Sequence, residues 1–237
     1  IESIRHLTIE ETYELSDAIL SGDLSEVRNE LGDLALHLVF YAKIASEKQV
    51  FDIGDVLNGI CDKLIRRHPH VYGDTEANDA GTVEQNWEQI KLKESEGRLA
   101  GNVRKSALSG VPSSLPALLK AFRMQEKARG VGFDWSEKTE VWDKVEEEMQ
   151  EFQEAEASGN LAEAQDEFGD LLFALINYAR FAGINPEEAL ERTNRKFMQR
   201  FQHIEQRAYE QDKNVKDMTL DEMEEYWNEA KKTTASP

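Results

Sequence analysis

Apolar residues recur at intervals of three and four along almost the whole chain, which is the spacing of one face of an α-helix. No segment shows the strict alternation of apolar and polar residues that is typical of a strand. Gly and Pro, which end helices, interrupt the pattern. The sequence therefore predicts an all-α protein whose helices span about 2–20, 24–48, 55–67, 85–96, 115–129, 137–157, 160–182, 186–211 and 220–232. Ser114 and Ser136 are predicted to cap two of these helices.

The helical pattern stops in a stretch rich in Gly, Ser, Ala and Asn near the middle of the chain. Such a composition is typical of a connection between domains. We therefore expect an N-terminal helical domain over 1–98, a linker over 99–113 and a C-terminal helical domain over 114–237. The segment 68–81 is predicted to be a loop.

Acidic residues at helical spacing flank a tight turn at Ser158-Gly159 in the second half. They are Glu147, Glu148, Glu151, Glu167 and Asp170. A shift of 137 residues places every one of them on an acid of the first half, and it superimposes the Ser-Gly turn as well. The matching acids are Glu10, Glu11, Glu14, Glu30 and Asp33. An ungapped match of this kind predicts a duplicated helical domain.

The spacing of these acids predicts a metal site. Glu148 and Glu151 share one helix face, as do Glu167 and Asp170 on the next helix. The short turn makes the two helices antiparallel neighbours, so the two acidic faces can meet. The apolar run 168–182 predicts that Glu167 and Asp170 are buried, where carboxylates need a partner. A hard cation such as Mg²⁺ would serve; a buried ion-pair network is the alternative.

Glu147 points about 100° away from Glu148. It is either a residue that orients a water at the rim of the cluster or a surface glutamate, and the sequence does not decide between them.

Basic residues suggest the class of substrate. Lys196 and Arg200 lie one helical turn apart, and Lys63 and Arg67 repeat the arrangement. Lys and Arg beside a carboxylate-bound metal are typical of a phosphate site, although a solvated helix face would look the same. Asn194 is a further polar candidate on that helix. Trp227, which is repeated as Trp87, could stack on a base, but a Trp on an amphipathic helix is more often part of the core.

Composition excludes several classes of function. The chain has 47 acidic and 28 basic residues and a net charge of −19, which argues against binding to nucleic acid or to an anionic membrane. Its apolar runs are too short to span a bilayer. The single cysteine, Cys61, excludes an internal disulfide and fits a cytoplasmic protein. No Glu-x-x-His occurs, which argues against a di-iron bundle.

The acids and their surroundings resemble a known family. Glu-Glu-x-x-Glu followed by Glu-x-x-Asp in a helix-turn-helix is similar to the MazG-type nucleoside triphosphate pyrophosphohydrolases of the all-α NTP-pyrophosphatase superfamily, in their two-domain bacterial form. The resemblance covers essentially the whole chain. Other segments that carry it are 9–14 (Ile-Glu-Glu-Thr-Tyr-Glu), 66–71 (Arg-Arg-His-Pro-His-Val), 132–135 (Gly-Phe-Asp-Trp) and 194–201, with Asn-x-Lys-Phe-x-x-Arg-Phe.

The resemblance implies Mg²⁺-dependent hydrolysis of a nucleoside triphosphate to the monophosphate and pyrophosphate, with water attacking the α-phosphorus; Mn²⁺ is an alternative ion. It implies broad base tolerance, a homodimer, and a house-cleaning or stress-response role in a bacterial cytoplasm. The implied metal ligands of the active C-terminal copy are Glu148, Glu151, Glu167 and Asp170. The residues implied to contact phosphates or water are Lys144, Glu147, Lys196 and Arg200, and those implied to hold the nucleotide are Lys91, Asn194 and Trp227.

The first copy departs from this pattern. Cys61 stands where the second copy has Asn194, and His68 stands where it has Phe201. Its own metal set would be Glu11, Glu14, Glu30 and Asp33. The sequence leaves open whether that copy is active or only a scaffold. A second class of function also remains open, namely a non-catalytic helical dimer that binds nucleotide or metal and regulates a partner protein.

Overall fold

The computed structural model describes residues 1–72 and 106–233, and within those ranges it contains helices and no strand. This confirms the all-α prediction. The chain divides into two units, Ile1–Arg98 and Leu99–Pro237. In the described ranges, no helix combines the length and the apolar character that crossing a bilayer requires.

The first unit contains a helical hairpin followed by two shorter helices. Its helices are α1 (Arg5–Ser21), α2 (Leu24–Glu47), α3 (Ile53–Arg67) and α4 (Pro69–Tyr72), preceded by a 3-10 turn at Glu2–Ile4. The α1–α2 turn is made by Gly22, whose φ of 75° is left-handed, and by Asp23, whose side chain accepts hydrogen bonds from the first backbone amides of α2. A hydrogen bond of 2.8 Å between the hydroxyls of Thr8 and Tyr41 ties α1 to α2.

The second unit repeats this hairpin and adds three more helices. Its helices are α5 (Ala117–Gly130), α6 (Lys138–Ser158), α7 (Leu161–Phe181), α8 (Pro186–Glu210) and α9 (Leu220–Thr233). Gly159, with φ of 74°, and the Asn160 cap make the α6–α7 turn. The duplicated sequence therefore folds into the same turn conformation twice.

Two small cores hold the second unit together. Between α6 and α7, the buried residues Val145, Leu171 and Ala174 pack against Phe152 and Tyr178. Between α8 and α9, a second core contains Ile204, Ala208 and Met218, packed against Val215, Met223, Tyr226 and Trp227. Helix α5 lies against α7 and also contacts α8. The α6–α7 hairpin is therefore flanked by α5 on the side where Gln125 reaches the backbone of α7.

Some details of the predicted helices are wrong. Pro116, rather than Ser114, is the N-cap of α5, and Glu137, rather than Ser136, is the N-cap of α6. Glu140 explains the second difference, because its carboxylate accepts a hydrogen bond of 3.0 Å from the Glu137 amide and completes a capping box. Part of the predicted loop 68–81 is the helical turn α4. The predicted helix over 85–96, with Trp87 and Lys91, lies outside the described residues.

Replacement of the turn glycine should destabilise the hairpin. Gly22→Ala puts a side chain at a left-handed φ and should lower the free energy of unfolding by about 1 kcal/mol. Gly59→Ala, inside α3 where an added Cβ meets nothing within 4 Å, should raise it by about 0.5 kcal/mol. Urea unfolding measures both variants, and two shifts of the same sign would contradict the assigned role of the turn.

Candidate metal and phosphate site

Three of the predicted metal ligands meet between α6 and α7. Glu148, Glu151 and Glu167 each offer a carboxylate oxygen, and these oxygens lie within 4.8 Å of one another. Glu148 is buried, Glu167 is half-buried and Glu151 is exposed. The cluster forms because the tight turn at Gly159 brings one face of α6 against one face of α7. Carboxylate oxygens at this spacing are suitable ligands for a hard divalent cation.

Asp170 is the fourth predicted ligand, one turn beyond Glu167 on α7. The prediction that Asp170 is buried is wrong, since its side chain is exposed. The apolar run around it does not enclose it, because Phe168 and Leu172 on the same helix are themselves 48% and 45% exposed in the single chain. Its charge nevertheless acts on the cluster: Asp170 is among the carboxylates that raise the pKa of Glu167.

The carboxylates repel one another. Partial burial, followed by the negative charges of Glu151, Asp170 and Glu148, raises the pKa of Glu167 above its ordinary value. A proton therefore stays on Glu167 at a higher pH than on an isolated glutamate. A divalent cation would remove this repulsion, so the site has the electrostatic character of a cation-binding site.

Lys144 supplies the positive charge at the edge of this cluster. Its Nζ lies 2.6 Å from Glu148 and 2.9 Å from Glu147. Hydrogen bonds to these two carboxylates raise the pKa of Lys144, so it stays protonated. Glu147 is exposed, and Lys144 holds it beside the buried Glu148. An ammonium group is thereby fixed in direct contact with the carboxylate cluster, where a phosphate could reach it.

The first unit repeats the acids without this lysine. Glu11, Glu14 and Glu30 also place carboxylate oxygens within 4.8 Å of one another. Partial burial and the charges of Glu14 and Glu11 raise the pKa of Glu30. The repeat places Leu7 at the position of Lys144. The N-terminal copy therefore keeps the three-carboxylate geometry, while Leu7 replaces the lysine that lies beside the second cluster.

The predicted phosphate-binding residues of α8 form a separate group. The Arg200 guanidinium lies over the Trp227 ring, 5.3 Å from its centroid, and Phe197 packs edge-on against the same ring. Asn194 donates to Glu191, and Lys196 is exposed. Within 1–72 and 106–233, no hydrogen bond or ion pair joins Lys196 or Arg200 to the acids of α6 and α7.

Trp227 belongs to the core of the α8–α9 hairpin, as expected for a Trp on an amphipathic helix. Its predicted contact with a nucleotide stays a prediction. Lys91 lies outside the described part of the chain.

A cavity of about 440 Å³ adjoins the carboxylate cluster in the second unit. Lys144, Glu148 and Asp170 form one part of its wall. Most of the remaining wall is apolar and aromatic, and it includes Met124, Ala128, Phe133, Trp135, Phe173 and Ala174. The volume lies within the range of small-molecule pockets. A ligand could therefore place a charged end at the carboxylates and an apolar or planar end in the cavity.

Sequence reasoning missed the polar residues of this cavity. Arg180 forms an ion pair with Asp134, and its Nε donates a hydrogen bond of 3.0 Å to Asn177. The pair ties the segment 131–135 to α7 and so holds Trp135 on the cavity wall. Gln125 and Asn177 are buried there. The sequence pointed to this region only through the Gly-Phe-Asp-Trp segment at 132–135, and it did not indicate that Asp134 would pair with Arg180.

Comparisons with known families agree with this geometry. Residues 1–72 match the model of the MazG nucleotide pyrophosphohydrolase domain. Residues 117–197, which include α6 and α7, match the model of phosphoribosyl-ATP pyrophosphohydrolase. Each match covers one of the two helical hairpins that carry a carboxylate cluster.

Similar proteins extend over nearly the full chain. A nucleoside triphosphate pyrophosphohydrolase of Escherichia coli (strain K12) is 42% identical over 232 residues, which cover 97% of this chain and 87% of that protein. A nucleoside triphosphate pyrophosphohydrolase/pyrophosphatase MazG of Thermotoga maritima is 40% identical over 97% of this chain and 86% of its own length. An uncharacterized protein of Bacillus subtilis, YabN, is 45% identical over 98% of this chain but only 47% of that protein. The chain belongs to the MazG family of nucleoside triphosphate pyrophosphohydrolases.

Proposed function

We propose that the C-terminal unit hydrolyses a nucleoside triphosphate to the monophosphate and pyrophosphate. One water is consumed: its oxygen bonds to the α-phosphorus, the bond from that phosphorus to the α–β bridging oxygen breaks, and pyrophosphate leaves. The reaction releases a proton at neutral pH. We further propose that Mg²⁺, with Mn²⁺ as an alternative ion, is held by Glu148, Glu151, Glu167 and Asp170.

The observation that carries this proposal is the cluster of Glu148, Glu151 and Glu167 with a lysine beside it. Partial burial and then the negative charges of Glu151, Asp170 and Glu148 raise the pKa of Glu167, which supports a site where negative charge is not fully compensated. Oxygen ligands and excess negative charge suit a hard divalent cation, which would neutralise charge on the phosphates and stabilise the leaving oxygen when bound. Because the protein carries a net charge of −19, a polyanionic substrate could approach it only where a bound cation or basic side chains offset the negative charge.

The chain's own residues would have distinct tasks in this reaction. Lys144 would hold a phosphate oxygen, and Glu147, at the exposed edge of the cluster, would orient the attacking water. Lys196 and Arg200 would bind the terminal phosphates, with Asn194, Trp227 and Lys91 as further substrate contacts. Trp227 would also hold the Arg200 guanidinium in place by its cation–π contact.

The N-terminal unit would act mainly as a scaffold. Its acids Glu11, Glu14 and Glu30 can still hold a cation, with Asp33 nearby on α2. The leucine at position 7 cannot bind a phosphate as Lys144 would. Binding without turnover in the whole protein would instead favour the non-catalytic, regulatory role that the sequence left open.

We also propose that the protein acts as a homodimer in a bacterial cytoplasm, with a house-cleaning or stress-response role and without a nucleic-acid partner. Exposed apolar side chains on α7 support the dimer: Phe168, Leu172 and Leu175 are 48%, 45% and 38% exposed in the single chain.

Substitution of a predicted metal ligand should greatly reduce activity when the ligand belongs to the C-terminal unit, and it should have little effect when the ligand belongs to the N-terminal unit. Glu151→Gln should lower kcat for pyrophosphate release by roughly 100-fold or more, because it removes a charged ligand worth several kcal/mol of transition-state stabilisation. Glu14→Gln should leave at least half of the activity. Glu154→Gln, an exposed glutamate on α6, is the matched control. Equal losses from Glu14→Gln and Glu151→Gln would contradict the division of roles between the units.

The raised pKa values predict how stability depends on pH. Because Glu30 and Glu167 hold protons more readily in the folded chain than in the unfolded chain, the metal-free protein should lose stability as pH rises above the ordinary glutamate range. The variant Glu30→Gln/Glu167→Gln should lose less stability between about pH 5 and about pH 7.5. Thermal unfolding in chelator measures this difference.

Added Mg²⁺ should raise the Tm of the unsubstituted protein more at neutral pH than at acid pH, and it should raise the Tm of the double variant much less. Glu154→Gln/Glu156→Gln, two exposed glutamates of α6, is the control. An unchanged Mg²⁺ effect in Glu30→Gln/Glu167→Gln would exclude these carboxylates as ligands.

A charge on the apolar face of α7 should disrupt the dimer. Leu172→Glu should give a monomer by light scattering at micromolar concentration, because the interface would have to bury an unpaired carboxylate. Leu161→Glu, at an 81% exposed position at the start of α7, should remain dimeric. A dimeric Leu172→Glu protein, or a monomeric unsubstituted one, would contradict the proposed interface.

A further inference from the structure

The hairpin of α8 and α9 contains a row of basic side chains on α8 that contact α9. Arg200, His203 and Arg207 follow one another at intervals of three and four residues, so they share one face of α8. Arg200 lies over the ring of Trp227, 5.3 Å from its centroid, and Arg207 lies over the ring of Tyr226, 5.4 Å from its centroid. Both rings belong to α9, so the row of bases is part of the contact between the two helices.

Glu229, on α9, lies between two of these bases. Its Oε2 is 3.3 Å from Nε2 of His203 and 3.3 Å from Nε of Arg207. Neither nitrogen makes an aligned hydrogen bond, so the attraction is one of charge, and for His203 it requires a protonated ring. The side chains of His203 and Arg207 are 28% and 35% exposed, so water screens the attraction only in part. Glu229 therefore links α9 to two successive turns of α8.

Arg200 differs from the other two bases because it has no acidic partner in the part of the chain that the structure describes. Within 1–72 and 106–233, its guanidinium makes no ion pair and no hydrogen bond, and its Nε is enclosed. The ring of Trp227 supports one face of the guanidinium without cancelling its charge. In a chain with a net charge of −19, an arginine whose charge is not neutralised is suited to bind an anionic group such as a phosphate.

We propose that Glu229 is a positioning residue for Arg200. By attracting His203 and Arg207, it holds α9 against α8 two residues from Trp227, and so it keeps the indole ring beneath the guanidinium of Arg200. Its charge is directed at the other two bases, which leaves Arg200 available to a substrate. This inference rests on the proposed function, in which Arg200 binds the terminal phosphates of a nucleoside triphosphate.

A carboxylate at position 229 has two opposite effects on the binding of a polyanion. Its negative charge repels the substrate, so removal of that charge alone would lower KM. Its contacts with His203 and Arg207 hold the ring beneath Arg200, and their loss would raise KM, because an arginine that must be ordered during binding binds more weakly. The sign of the change in KM therefore distinguishes a positioning role from simple repulsion.

The substitution Glu229→Gln removes the charge and keeps the size of the side chain. In the full-length protein with Mg²⁺ and ATP, KM for pyrophosphate release should rise about threefold, the scale expected for partly exposed ion pairs. The value of kcat should not change, because the carboxylates between α6 and α7 are not altered. Glu225→Gln, at an exposed position one turn earlier on α9, removes the same charge and should leave both constants unchanged.

A double-mutant cycle tests the contact from the side of α8. Arg207→Gln should also raise KM, and the effects of Arg207→Gln and Glu229→Gln should not add in the double variant, because both substitutions remove the same interaction. Glu229→Asp, which keeps the charge on a shorter side chain, should restore part of the loss. Thermal unfolding shows whether each variant is folded. A contribution to stability alone would lower the active fraction, and with it kcat, while KM stayed the same.

The outcomes separate this inference from the proposed function. An unchanged or lowered KM in folded Glu229→Gln would overturn the positioning role, as would effects that simply add in the cycle. If Glu229→Gln does not fold, His203→Gln removes one partner and keeps the carboxylate, and its KM decides in the same way.

Arg200→Gln is the reference variant, and its KM should rise more than that of Glu229→Gln, because it removes the group that Glu229 positions. An unchanged KM in Arg200→Gln would overturn this inference and leave hydrolysis at the metal site intact. Absence of turnover in the unsubstituted protein would overturn the proposed function and this inference together.

Discussion

Repulsion among carboxylates is the constraint on which the second unit depends. The fold brings Glu148, Glu151 and Glu167 together between the two helices of a tight hairpin, where the ammonium group of Lys144 offsets part of their charge. Partial burial, and then the charges of Glu151, Asp170 and Glu148, raise the pKa of Glu167. Repulsion between the carboxylates lowers the stability of the hairpin, and a bound cation would remove that repulsion. Metal binding and folding therefore favour the same conformation. The turn at Gly159 sets this geometry.

The two copies of the hairpin share the arrangement of the carboxylates but differ in the residue beside it. Both copies keep the left-handed glycine turn and three carboxylates within 4.8 Å of one another. In the second copy Lys144 lies beside them, whereas the first copy has Leu7 at the matching position. The arrangement of the carboxylates, which depends on the hairpin, is therefore present in both copies. The ammonium group that would bind a phosphate depends on a single side chain, so one substitution removes it.

A connected set of polar contacts holds the wall of the cavity in the second unit. Asp134 holds Arg180, Arg180 fixes the amide of Asn177, and the backbone of α7 fixes the amide of Gln125. Both amides are therefore held in one orientation in the wall of the cavity. The same contacts hold Trp135 in the wall, so one ion pair supports both the polar and the aromatic parts of the cavity.

The sequence by itself determined the helices, the repeat and the meeting of the carboxylates, because helical spacing and a two-residue turn depend on local interactions along the chain. It did not determine that Asp170 is exposed, since an apolar run does not tell which of its faces another element covers. Nor could it show the cavity. Gln125 lies 48 residues from Phe173, and Asp134 lies 46 residues from Arg180, so only packing of α5 and the segment 131–135 against α7 brings them together.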